Sequence, residues 1–158
     1  MTNVTLRRAT ADDANALFEI RRRSIIVLAP PVLSAAEAHG WAAALTIDGM
    51  AKKLDQLELW LAQTEGAVAG WGAIRDDRLE GLDTAPEFAN LGIGTRLLQM
   101  LKDIMHRRGI RAVHADASVN AEAFYLRRGY LRADFPLANG ALPIRKQLSA
   151  IMSVADSD

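Results

Sequence analysis

The stretch Pro86 to Leu98, PEFANLGIGTRLL, sets two glycines one residue apart where an apolar run gives way to a helical one. Glycine costs helix stability there, so something favours a bare backbone at that point. Upstream, Leu79 to Ala85 reads as a strand, and Pro86 ends it because proline cannot donate to a sheet ladder. Downstream, Leu97, Leu98, Leu101, Ile104 and Met105 share one face of a helix running from Gly94 to Arg107. Arg107 and Arg108 complement the end of its dipole, and Gly109 caps it. A strand, a glycine turn and an uncapped helix form a seat for an anion, since backbone amides and the helix dipole converge on one point. The same glycines also suit a tight loop with no ligand, and the stretch alone leaves both readings open.

Two familiar phosphate motifs are set aside. A P-loop places Lys before Ser or Thr after its last glycine, whereas Gly94 is followed by Thr95 and Arg96 with no lysine before them. The dinucleotide fingerprint requires a third glycine where Leu97 stands, and it follows the first strand of a βαβ unit.

Working outward, Leu57, Leu59 and Leu61 alternate with Glu58, Trp60 and Ala62. A turn at Thr64-Glu65-Gly66 leads to a second strand, Ala67 to Ile74, and a turn at Arg75 to Arg78 leads to the strand before Pro86. Three strands joined this way form an antiparallel meander. Before it, Val4 to Arg7 reads as a strand and Thr10 as a cap with Asp12 and Asp13 in the first helical turn. Leu17, Ile20, Ser24 and Leu28 keep helical spacing until Pro30-Pro31. Helices follow from Ser34 to Ala44, with Glu37 completing a capping box, and over Ile47 to Leu54. After the glycine stretch come a strand at Ala112 to Ala115, a short helix from Asn120 to Arg127, and strands at Tyr130 to Ala133 and Leu142 to Gln147. The order is that of a single α/β (α+β) domain over residues 1–150, followed by a small, acidic tail at 151–158 expected to fray.

The chain has 158 residues, 50% hydrophobic and 24% charged, which suits one soluble domain with a real core. Lys plus Arg equals Asp plus Glu at 19 each, so the charge balance favours neither nucleic acid nor a membrane surface as partner. No cysteine is present, which excludes disulfides, a thiol nucleophile and a Cys-ligated metal; no metal site is expected. No run approaches the roughly 20 apolar residues of a membrane span, and the N-terminus lacks a secretory signal, so a cytoplasmic protein is expected.

Ala89-Asn90-Leu91-Gly92-Ile93-Gly94, preceded by Leu82-Asp83-Thr84-Ala85-Pro86, resembles the signature of the GNAT superfamily of acyl-CoA-dependent N-acyltransferases. That signature reads Arg/Gln-x-x-Gly-x-Gly/Ala at a strand-to-helix junction. The resemblance covers nearly the whole chain and implies a GNAT-like, mostly antiparallel central sheet flanked by helices. It implies acetyl-CoA as cosubstrate, its pyrophosphate on the amides of Ala89 to Thr95. Leu82, Asp83 and Thr84 would then line the pantetheine and the thioester carbonyl. The acceptor would be a small-molecule amine or a peptide or protein amine, and homodimers are common in the fold. Two departures stand out. Ala89 replaces the usual Arg or Gln, and Leu91 a frequent Lys or Arg, so CoA binding is expected to be weaker, with Arg96 as a helper. A catalytically degenerate CoA-binding or regulatory module is the alternative.

The second motif is Asp116 to Tyr130, DASVNAEAFYLRRGY. Without the resemblance, Phe124-Tyr125 is a core pair and Gly129 a helix cap. With it, Tyr125 is the general acid that protonates the departing thiolate, Ser118 falls where relatives contact the pantetheine arm, and Phe124 flanks the cofactor; Asn120 is expected to cap the helix. The amine also needs a base. Glu80 is the first candidate, with Asp83 beside it and His39 and His114 behind. Strict strand alternation puts Glu80 and Asp83 on opposite faces. The Arg21-Arg22-Arg23 run, Trp41 and Trp71 fall where the fold walls its acceptor pocket, and an arginine pointing inward would suit an acidic acceptor.

Overall fold

The described part of the computed structural model is residues 3–148, so the expected tail and the ends of the expected domain lie outside it. Strand β1 (Val4–Arg8) leads through a 3-10 turn into helix α1 (Ala14–Leu28). The Thr10 amide donates to the Asp13 carboxylate at 2.7 Å, and Arg7 grips both Asp13 oxygens at 2.9 Å. Those hydrogen bonds from Arg7 hold the Asp13 carboxyl below its ordinary range. Helix α2 (Ala35–Ala43) starts at the expected Ser34–Glu37 capping box, and α3 (Ile47–Gln56) starts at Thr46, whose side chain accepts from the Gly49 amide.

The meander consists of β2 (Glu58–Thr64), β3 (Ala67–Arg75) and β4 (Arg78–Thr84). Beyond it lie α4 (Ile93–Arg107), β5 (Ala112–Ala117), α5 (Glu122–Leu126), β6 (Leu131–Arg132) and β7 (Leu142–Gln147). The seven strands form one sheet in the order β1-β2-β3-β4-β5-β7-β6, antiparallel except at β4–β5. Leu17, Ile20 and Met50 from α1 and α3 pack with Leu59, Leu61 and Trp71 on one face. On the other, Leu98, Leu101 and Met105 of α4 pack with Ile74, Val113 and Ile144. α4 approaches so closely that a Cβ on Gly72 would lie 2.7 Å from a Leu101 methyl.

The structure departs from the sequence reading in two places. The helix expected over Asn120 to Arg127 is a 3-10 turn at Val119–Ala121 followed by the short α5, and the strand expected at Tyr130 to Ala133 pairs over only two residues. In addition, β3 and β4 change register between Ala73 and Ile74: Gly81 faces Ala73, Leu79 faces Ile74, and Glu80 is the extra residue of a bulge. Just beyond that point β4 leaves β5. The two pair only at Arg78 and His114, so β4 from Leu79 to Thr84 and β5 from Ala115 onward turn unpaired edges toward each other.

Candidate active site

The splayed strands open a cavity of about 730 Å³. Tyr125, Glu80, Leu82, Asp83 and Thr84 all line it. So do Ala89, Asn90, Gly92, Ile93, Gly94, Thr95, Ser118 and Phe124. Leu91 is the exception among the residues the sequence brought forward: its side chain is 63% exposed and forms no part of the wall.

At one end lies the start of α4. Gly92 is its N-cap, at φ 83°, a left-handed conformation that explains glycine on backbone grounds alone. Gly94 is different. A Cβ there would meet nothing closer than Phe124 and Thr84 at 3.5 Å, so the protein's own packing does not demand glycine; the bare backbone faces the cavity. No side chain caps α4 and no acid occupies its first turn, which leaves its amides and dipole to whatever enters. Arg96, expected to help here, is exposed and outside the wall. Arg128 lies there instead, donating from Nη2 and Nε to Thr95 Oγ1 at 2.8 and 3.2 Å.

Behind Phe124, which flanks Gly94, is Tyr125, 6% exposed, edge-on to Phe124 and to Tyr130 with ring centroids 5.3 Å away in each case. Burial pushes its phenol well above the ordinary value, helped by Tyr130 and by Asp83 across the cavity, so it stays protonated. Asp83 pairs with Arg21 at 3.0 Å, and burial nonetheless raises its carboxyl. The bulge overturns the expectation that Glu80 and Asp83 face apart: both line the cavity, and both carboxylates act on the half-buried Lys53, whose ammonium burial pushes down. Glu80 sits between Arg75 at 3.5 Å and Arg78 at 3.6 Å.

The arginine run divides. Arg21 turns inward and lies 5.7 Å from the Trp41 ring, whereas Arg22 pairs with Glu19 and Arg23 with Glu87 on the surface. Trp41 lines the cavity, but Trp71 is sealed in the core beneath Gly81 and does not reach it. Neither His39 nor His114 reaches the cavity; the first is hydrogen-bonded to the Ala35 carbonyl and the second lies beside Asp77. Asn120 is not the cap of α5. Ser118 begins the 3-10 turn, and Asn120 lies in it with its Oδ1 buried, unpartnered and at the cavity wall. Asn120, Arg127 and Arg128 on the cavity wall, and Lys53 within the fields of Glu80 and Asp83, are residues to which the sequence reading gave no role in the site. Only Arg128 left a signal, a second cation directly before the glycine that ends the helix.

The profile described as "Acetyltransferase (GNAT) domain" matches residues 31–140. The chain belongs to the GNAT acetyltransferase family. Among solved structures, a GCN5-related N-acetyltransferase from Rhodopseudomonas palustris superposes with a TM-score of 0.84 at 25% identity, covering 94% of this chain and 98% of that one. PaiA N-acetyltransferase of Thermoplasma acidophilum in complex with coenzyme A gives 0.77 at 18% identity over 92% and 99%. YncA of Salmonella typhimurium with its cofactor acetyl-CoA gives 0.63 at 18% over 94% and 95%. The last two establish the fold alone. No curated protein matches the sequence. As a GNAT protein the chain is an acetyltransferase with a seven-stranded, mostly antiparallel sheet, and among the described residues no helix is long and apolar enough to cross a membrane.

Proposed function

We propose that this GNAT protein moves the acetyl group of acetyl-CoA directly to a primary amine of a small molecule or peptide. The observation that carries the reading is a single cavity running from the uncapped start of α4 to the Tyr125 phenol. The Thermoplasma and Salmonella structures, which hold coenzyme A and acetyl-CoA, lend support. The residues present suit such a molecule: the amides after Gly92 are open to a pyrophosphate, Gly94 leaves room, and the buried Asn120 Oδ1 awaits a donor such as a pantetheine N–H. The unpaired edge of β4 at Leu82, Asp83 and Thr84 offers amides to a carbonyl oxygen.

The thioester supplies an activated acyl carbon, and the protein must move two protons around it. Tyr125 gives its proton to the leaving sulfur. Burial keeps that phenol protonated and so available as the donor. Asp83 takes the proton of the amine, the role that the sequence first offered to Glu80: its carboxyl is raised by burial, whereas Glu80 is flanked by two arginines. Transfer is direct, with no cysteine to carry the acyl group. Arg21 points inward as an acidic acceptor requires, though Asp83 already takes one of its N–H groups.

Thiol release from acetyl-CoA, followed across a panel of primary amines, tests this. Amine-dependent release is expected. Binding with no release on any amine would favour the second reading, a silent CoA-binding module, which Ala89 and the exposed Leu91 motivate.

A further inference from the structure

We propose that Arg128 is the residue through which this protein holds the phosphates of CoA, in place of the cations its glycine loop lacks. The inference rests on the acetyl-CoA reading and assigns that site its charge. Arg128 immediately precedes Gly129, whose φ of 88° ends the short helix and turns the chain. Three directed contacts fix its guanidinium: the two to Thr95 and a 2.8 Å bond from Nη1 to the Phe124 carbonyl. Beneath it, the Phe124 ring centroid is 3.6 Å from the guanidinium carbon. Those contacts leave one N–H on each terminal nitrogen unspent.

Every partner of this cation is neutral. Among the described residues no carboxylate lies within 4 Å of it, and the neighbouring charge that acts on it is Arg127, which repels it. Thr95, to which it is tied, belongs to the first turn of α4, where the helix dipole is itself positive. A cation clamped in place against a positive helix end is unfavourable until an anion joins them, and the cavity wall that Arg128 shares with Gly92 and Gly94 is where an anion would enter. The loop supplies nothing comparable, since Ala89 is apolar, Leu91 points to solvent and Arg96 turns away. A bidentate guanidinium on a phosphate restores that attraction from the turn after α5.

The test compares dissociation constants for acetyl-CoA and for acetyl-pantetheine, which carries the same thioester without phosphates. In the wild type, acetyl-CoA should bind at least about tenfold tighter. Arg128→Gln should shrink that ratio by about tenfold, and Arg128→Lys, which keeps the charge without the fork, by less. The wild-type preference should also weaken with added salt more steeply than that of Arg128→Gln. An unchanged ratio in a folded Arg128→Gln, or equal losses on both thioesters, would mean that Arg128 only pins α5 to α4, and the proposal would fall. A wild type that prefers neither thioester also overturns it while leaving acetyl transfer standing. A wild type that binds neither removes the acetyl-CoA reading and this proposal together.

Discussion

The two ends of the cavity handle charge in opposite ways. At the acceptor end the charges answer one another: Arg21 holds Asp83 at 3.0 Å, Glu80 lies between Arg75 and Arg78, and Lys53 sits within the fields of both carboxylates. At the α4 end, the proposed phosphate seat, the helix start has no acid, and Arg128 is tied to a hydroxyl and a carbonyl. The first arrangement is charge-paired without a ligand, with only Arg21 Nε left buried and unpartnered, and sets proton affinities. The second is frustrated without one, and the energy it withholds from folding is available for binding. The difference separates residues expected to govern turnover and stability from residues expected to govern affinity.

Breaking the acid side has the largest effect. Tyr125→Phe should lower kcat by about a hundredfold or more while acetyl-CoA affinity stays near that of the wild type, as steady-state kinetics beside direct binding would reveal. Unchanged turnover would remove Tyr125 from the chemistry. Arg21→Gln comes next: it strands Asp83, whose side chain is only 11% exposed, and should cost about 3 kcal/mol of stability in urea unfolding. A loss below about 0.5 kcal/mol would show that the pair behaves as a surface ion pair. At the opposite end, Ala89→Arg placed in Arg128→Gln should recover acetyl-CoA affinity several-fold, because it returns a cation to the loop. No recovery would place the missing charge elsewhere.

The smallest effect concerns pH. Burial outweighs Arg21 and Lys53 and raises the folded-state value of Asp83 above its ordinary 3.8. The folded protein then binds more protons than the unfolded chain in that window, so the contribution of Asp83 to stability is present below about 3.8 and lost as pH rises through the raised value. Unfolding followed from pH 4 to 7 should show this slope in the difference between the wild type and Asp83→Asn, the lowered carboxyls such as Asp13 being common to both. A slope of the other sign would mean that Arg21 prevails over burial.

Much of this was legible in the residues. The alternation of β2 to β4, the Ser34 box, the amphipathic face of α4 and the two quoted motifs are local patterns, and the fold follows from their order. Tyr125 and the glycines came forward because their two motifs resemble those of the GNAT superfamily; read alone they suit a core pair and a tight loop equally well. What was not legible depends on one-residue events. The bulge at Glu80 inserts an unpaired residue, and alternation counted from the sequence then assigns the wrong face. Trp41 and Trp71 are the same residue type, yet one reaches the cavity and the other is sealed under Gly81, a distinction only packing makes. Arg128 reads in sequence as an ordinary cation at a helix end; its direction follows from α5 ending where it does and from Thr95 and Phe124 lying beneath it.

The central claim is that the cavity from Gly92 to Tyr125 is an acyl-CoA site. Calorimetric titration of the wild-type protein with acetyl-CoA tests it most directly. Saturable binding with a Kd below about 1 mM, weakening as salt is added, is the predicted result. No heat of binding at millimolar acetyl-CoA would contradict it.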